Sequence, residues 1–209
     1  MRAIVLLLVC STAYAGTELS VGSSDRALRS SSADAVTGDS LTGGQLGLAH
    51  QLHIDLPSIT VSATMGLWWG SAKGTLFDLA TDLGQSAYLV GGRARYAVVP
   101  HIAASAGVQV GLAHTSLALT DAMDRKVADS AWGGIAEGAL GVDLLAIDTP
   151  RFSLGIRIEL GYVAAAAVTL AGKQARPDDG TLHLQMTQAS LGQLDLSGPY
   201  AGVSVMSAF

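Results

Sequence analysis

One eleven-residue stretch, residues 152–162, constrains the fold of this chain most strongly. Its sequence, FSLGIRIELGY, has a large apolar side chain at every even-numbered position and a small or charged one between. A period of two indicates a β-strand with two unlike faces, because successive side chains point to opposite sides of the pleat. A helix would spread these apolar residues around its whole circumference. The stretch is about as long as a tilted strand that crosses a bilayer, so we interpret it as a membrane-spanning strand with its apolar face toward lipid.

The same alternation recurs along the chain and predicts eight strands. These are residues 16–23, 43–54, 58–69, 84–96, 101–115, 131–146, 152–162 and 200–209. The connections alternate in length. Residues 24–42, 70–83, 116–130 and 166–197 form long ones, and residues 54–57, 97–100 and 147–151 form short ones. This rhythm predicts an all-β fold, an eight-stranded antiparallel up-and-down transmembrane β-barrel with short periplasmic turns and long extracellular loops. A further hairpin within residues 181–196, making ten strands, stays open.

Composition agrees with a wall that faces lipid. Hydrophobic residues make up 49% of the chain, yet no apolar run beyond its first residues reaches the roughly twenty needed by a membrane helix. The polar face of the predicted strands carries mostly Gly, Ala, Ser and Gln, which suits a crowded interior and argues against a soluble barrel whose polar side meets water. A net charge of −5 argues against nucleic acid as a partner.

The first residues have the pattern of a signal peptide. Arg2 precedes the apolar run 3–9, and Ala13-Tyr14-Ala15 has the small-x-small form of a cleavage site. We therefore expect residues 1–15 to be removed and residues 16–209 to form the barrel in the bacterial outer membrane. Cys10 could instead mark a lipoprotein signal, although the bulky Val9 before it disfavours that alternative.

The signal peptide, the eight amphipathic strands and the terminal Phe209 together resemble the small outer-membrane β-barrel families, which include OmpA-type and OmpX-type domains. In that class the last strand is the address read by the barrel-assembly machinery, a terminal aromatic residue with apolar residues at alternate positions before it. Phe209, Val205 and Val203 match this pattern, whereas Ser207 departs from it. The resemblance also implies outer-membrane lipid and lipopolysaccharide as surroundings, and we expect no cofactor or metal.

Aromatic residues on the lipid-facing parity form two predicted girdles, as expected where a barrel wall meets the two interfaces. Those beside the long loops are Trp69, Tyr88, Trp132 and Tyr162, and those beside the short turns are Tyr96, Phe152 and Phe209. All three lysines, Lys73, Lys126 and Lys173, fall in the predicted long loops and none on a predicted strand. Their placement keeps charged heads out of the hydrocarbon.

Charged residues on the inward parity predict a network inside the lumen. They are Glu18, Arg93, Arg95, Glu137, Asp143, Arg157 and Glu159. Buried charges persist only when they are paired, and eight strands enclose an interior that side chains just fill. We therefore expect a lumen plugged by salt bridges in a non-catalytic protein with a structural or surface-interaction role. A narrow porin-like channel for small solutes is the alternative.

A third hypothesis is catalytic. His114 and Ser116 lie on the lipid-facing parity near the outer end of the fifth strand, and this His-x-Ser pair is similar to the dyad of the lipid A 3-O-deacylase family. Histidine could activate the serine hydroxyl if a carboxylate oriented it. Asp121 or Asp129 would have to serve, and neither stands where that family places its glutamate.

Overall fold

The computed structural model describes residues 16–28, 40–54, 58–76, 79–122, 126–149, 151–174 and 189–209. These residues form ten strands. They are β1 (Thr17–Ala27), β2 (Ser40–Leu52), β3 (Ile59–Leu76), β4 (Leu79–Val99), β5 (Ile102–Thr120), β6 (Lys126–Thr149), β7 (Phe152–Ala165), β8 (Val168–Gln174), β9 (Ala189–Leu194) and β10 (Gly198–Ala208). In this part of the chain no helix is long and apolar enough to cross a membrane.

Eight of these strands close into a ring. Strands β1 to β7 pair in chain order, β7 pairs with β10, and β10 returns to β1, with every pair antiparallel. The closing pair runs from Glu18 opposite Ala208 to Arg26 opposite Tyr200. The prediction of an eight-stranded antiparallel up-and-down barrel is confirmed.

Strands β8 and β9 form a hairpin outside the ring. It is attached to β6 where Val127 pairs with Gln174 and Ala128 with Lys173. The open question of eight or ten strands therefore resolves as eight in the barrel and two in a hairpin at its rim. Of the predicted hairpin region 181–196, residues 181–188 lie outside the described residues.

The barrel has two unlike ends. We call the end that carries the first residue of β1, the last residue of β10 and the connections after β2, β4 and β6 the turn end. The opposite end, with the connections after β1, β3, β5 and β7, is the loop end. At the turn end the amide of Phe209 donates to the carbonyl of Thr17 (N···O 3.0 Å), so the last residue is fixed against the first strand.

Over the half of the wall nearer the turn end, the outward face is apolar and exposed. Val108 and Leu160 are 68% and 64% exposed. The same band includes Val21, Met65, Val90, Val110, Leu112, Leu140, Ile156, Ile158, Val203 and Val205. A mainly apolar outer band around a closed ring is what hydrocarbon requires of a spanning barrel.

Toward the loop end the two faces exchange character. Strands β3 to β6 continue past their predicted ends, and there Lys73 and Asp82 point outward while Leu83 and Leu117 are at most 2% exposed inside the ring. We call this region, residues 70–76, 79–85, 115–120 and 126–131, the extension. It is mainly apolar inside, with buried Thr81, Gln85 and Thr115 among the leucines, and mainly polar outside, like a small barrel in water.

The extension corrects two predictions. Residues 70–83 and 116–130 are strand over most of their length and are not long connections, because their alternating side chains bury an apolar interior. The lysines were also predicted to lie on no strand, and that was wrong. Lys73, Lys126 and Lys173 belong to β3, β6 and β8, all at the loop end.

Candidate functional site

The half of the lumen nearer the turn end holds a charge network centred on Arg157. Its Nε and Nη2 donate to the two carboxylate oxygens of Asp143 at 2.6 and 2.9 Å. Its Nη1 and Nη2 also donate to Glu18 at 2.6 and 3.1 Å. Arg157 and Asp143 are almost fully buried. One planar guanidinium thus joins β7 to β6 and to β1, an arrangement that suits the fixed fork of arginine donors.

Two further arginines complete this network. Arg93 donates to Glu18 and to Glu159, both at 3.2 Å. The Nε of Arg95 lies 2.9 Å from Asp143 Oδ2. Three arginines therefore face three carboxylates from four strands of the ring, β1, β4, β6 and β7. Six of the seven residues that the sequence assigns to the lumen meet here.

The seventh, Glu137, pairs with Arg26, which lies within residues 24–42, predicted to form a long connection. Arg26 Nη2 donates to Glu137 Oε1, and the Arg26 guanidinium carbon lies 3.7 Å from the centroid of the Trp68 ring. Tyr200 flanks the same guanidinium at 5.8 Å. The sequence did contain a signal that Arg26 faces the lumen, because it has the same inward parity in β1 as Ser20 and Ser24. The register that sets it against Glu137 cannot be obtained from sequence.

On the loop-end side of the Arg26–Glu137 pair, an apolar core closes the lumen. Trp68 is 1% exposed, and its indole nitrogen donates to Ser24 Oγ at 2.8 Å. Around and above it pack Leu28, Leu41, Leu83, Leu89, Leu117, Leu119, Ile135 and Val163. Val168, Leu170, Leu194 and Leu196, from the rim hairpin and its flanks, join the same core. The sequence predicted a polar lumen throughout, so this apolar half is a correction.

Two small cavities lie among the described residues inside the barrel. Between the charge network and the apolar core lies a cavity of about 70 Å³, lined by Arg26, Arg93, Gln45, Gln109 and Glu159 among others. Nε and Nη1 of Arg26 have no hydrogen-bond partner among the described residues. Higher up, a cavity of about 10 Å³ borders Thr115 and Leu196. These spaces suit a few water molecules.

The predicted dyad lies on the outer wall. His114 faces outward and packs against Trp132, with ring centroids 5.0 Å apart. The Ser116 hydroxyl donates to the carbonyl of Gly84 at 3.5 Å. Asp129 pairs in register with the buried Leu117, so it lies on the inward face of the sheet. Asp121 follows the end of β5, roughly 20 Å along the strand from His114. Neither carboxylate is placed to orient the imidazole.

The aromatic residues of the outer wall fall into two groups, one near each end of the barrel. Near the turn end Phe152 and Phe209 pack with centroids 5.3 Å apart, and Tyr96 is exposed. Toward the loop end Trp69, Ser86, His114 and Trp132 are paired in one row across β3 to β6. Tyr88, one row below, stacks on Trp132 at 6.2 Å. Tyr162, on β7, is 45% exposed.

The sequence predicted that the loop-end aromatics all lie at strand ends, and for Trp69 and Tyr88 this prediction was wrong. β3 continues to Leu76 beyond Trp69, and β4 begins at Leu79 before Tyr88. We call the row of Trp69, Ser86, His114 and Trp132 the aromatic row. It marks the level at which the outward face changes from apolar to polar.

The last strand presents its predicted apolar positions outward. Val203 and Val205 are about half exposed, and Ser207 occupies the same face. The Phe209 ring ends this face beside Phe152. Among the described residues, no group of three or more His, Cys, Asp or Glu side chains is arranged to hold a metal ion.

No family model and no curated protein matches this chain. Among solved structures it is similar to Neisserial surface protein A (NspA), with 8% identity and a TM-score of 0.49 over 92% of this chain and 96% of that one. It is similar to Ail, the attachment invasion locus protein of Yersinia pestis, with 11% identity and a TM-score of 0.45 over 93% and 98%. It is also similar to the outer membrane protease OmpT from Escherichia coli, with 6% identity and a TM-score of 0.46 over 92% of this chain and 95% of that one. At these identities and TM-scores no family is identified and no residue role is transferred.

Proposed function

We propose that this chain is a non-catalytic integral protein of the bacterial outer membrane with a closed lumen. Its role is structural, or is a surface interaction made by the part of the barrel beyond the membrane. The observation that supports this most strongly is that both halves of the lumen are filled, one by paired charges and the other by an apolar core. A solute would have to break the charge network and then cross a close-packed, mainly apolar region.

Single-channel recording tests the closed lumen. We expect the purified protein, inserted into planar lipid bilayers, to give no steady conductance steps, while a general porin gives them under the same conditions. Steady steps whose size changes in Arg93→Gln or Glu137→Gln would contradict the proposal, because those side chains border the lumen cavity. Such steps would favour the narrow-channel alternative.

The proposed orientation places the loop end outside the cell and both termini in the periplasm. It follows the general arrangement of such barrels, with short periplasmic turns and longer external segments. The polar outer face of the extension then stands among lipopolysaccharide headgroups and in water. The apolar outer band nearer the turn end is then surrounded by the acyl chains of outer-membrane lipid.

We further propose that the barrel-assembly machinery reads the last strand through Phe209, Val205 and Val203. Phe209→Ala should lower the amount of folded protein in the outer-membrane fraction several-fold. Phe152→Ala is the matched control, because it removes the same ring contact from the other side. Immunoblots of fractionated membranes, with unfolding of each purified variant measured in parallel, make the comparison. Equal losses in both variants would assign the effect to the ring contact alone and overturn the assembly role.

A further inference from the structure

The outer wall carries a recess over β4, at and just beyond the aromatic row. Its volume is about 350 Å³. Outward-facing residues paired in register form it in two rows. They are Trp69, Ser86 and His114 in one row and Ser71, Gly84 and Ser116 in the next. The two small residues of β4 therefore make part of its floor, flanked by the side chains of β3 and β5. Thr42, Gly43 and Gly44 of β2 extend the recess past Trp69.

The recess combines flat aromatic surfaces with hydroxyl groups. The Trp69 side chain is 46% exposed on one wall, and the His114 imidazole is held against Trp132 on the other. Among the described residues, the bond that the Ser116 hydroxyl makes is the 3.5 Å one to Gly84, a length at which a hydrogen bond is weak. A ligand hydroxyl could therefore replace it at little cost.

None of the described residues that line the recess is an aspartate, glutamate, lysine or arginine. In the next row toward the loop end, Lys73 and Asp82 pair in register, so their opposite charges offset each other. A phosphate or carboxylate would call for an arginine or lysine in the wall, and an acyl chain for a wall without hydroxyls. A sugar ring fits both features, because its C–H face packs on an aromatic ring while the hydroxyls at its edge meet serine side chains.

The height of the recess points to the source of the sugar. Tryptophan and tyrosine concentrate where hydrocarbon gives way to headgroups, and the aromatic row is the last before the polar face of the extension. We propose that the recess binds a sugar ring of the lipopolysaccharide headgroup in the outer leaflet. This inference rests on the proposed orientation, in which the loop end is outside.

Lipid binding to the purified full-length protein in detergent tests the site. The probes are deep-rough lipopolysaccharide, which carries sugar rings, and phosphatidylglycerol, which carries acyl chains and a negative charge without them. Native mass spectrometry gives the affinity for each. Ser86→Leu fills the recess from its floor and should weaken lipopolysaccharide binding at least about tenfold. Trp69→Leu should weaken it by removing one aromatic wall without filling the space.

Gly134→Leu is the matched control. Gly134 lies on the outward face of β6, opposite Leu112 in the row below the aromatic row, and an added Cβ there meets no atom within 4 Å. It should keep the affinity to within about twofold. Lipopolysaccharide binding that is absent, or unchanged in Ser86→Leu and Trp69→Leu, would overturn the site. An equal loss of phosphatidylglycerol binding would show that the recess holds acyl chains, which also overturns it. Protease accessibility of a tag placed at the loop end, compared in intact and lysed cells, tests the proposed orientation separately, so the two proposals can fail independently.

Discussion

Arg157→Met should lower the free energy of unfolding by roughly 3–5 kcal/mol, the usual cost of breaking a buried ion pair from one side. Arg157 is 1% exposed and bonds to both Asp143 and Glu18. Methionine fills similar space but leaves three carboxylates in the network facing two arginines. Chemical denaturation in lipid vesicles, followed by tryptophan fluorescence, measures the loss.

Arg95→Met is the control for that prediction. The Arg95 side chain is 25% exposed and is paired with Asp143, which keeps both of its bonds to Arg157 when Arg95 is removed. We expect a loss of about 1 kcal/mol or less, the range of partly solvated ion pairs. Equal losses in the two variants would contradict the central role of Arg157.

Substitutions along β5 should reveal the exchange of faces between membrane and extension. Val110→Arg puts a charge on the lipid-facing band and should cost about 2–4 kcal/mol, whereas an arginine on the polar outer face farther along the same strand should cost about 0.5 kcal/mol or less. Ala118→Arg is that second variant. It lies on the same face as Val110, opposite Asp82 in register.

The inward face of β5 should respond in the opposite sense. Leu117→Ala opens a cavity in the apolar core and should cost about 2–5 kcal/mol, because the surrounding side chains relax only partly. Ser116→Ala, one residue away on the outward face, should change stability by about 0.5 kcal/mol or less. Equilibrium unfolding of the four variants provides the measurement. Similar costs for Val110→Arg and Ala118→Arg would show that both positions meet the same solvent.

The membrane half of this barrel was predictable because one rule governs it throughout. Lipid outside and a crowded polar interior force a period of two, and every second residue of β7 follows it. Parity alone also placed Arg157 and Asp143 in the lumen. What parity could not supply was register, since Arg26 and Glu137 are far apart in sequence and meet only because β1 and β6 sit at particular heights in the ring.

The extension was missed for a different physical reason. Its residues alternate as regularly as those below, with Leu83 and Leu117 inward and Asp82 and Ser116 outward. Because the solvent outside changes from hydrocarbon to water, polar residues take the outward parity that apolar ones held before. A search for apolar residues on the lipid-facing parity therefore ends at the aromatic row, although the strands do not.

The two halves of this barrel also differ in what drives them to stay folded. The core of the extension is hidden from water, so its contribution weakens on cooling, as apolar burial does in water-soluble domains. The outer band of the wall below contacts lipid and not water, so this loss on cooling does not act on that face. On cooling, we therefore expect the rim of this protein to loosen before its membrane-spanning strands do.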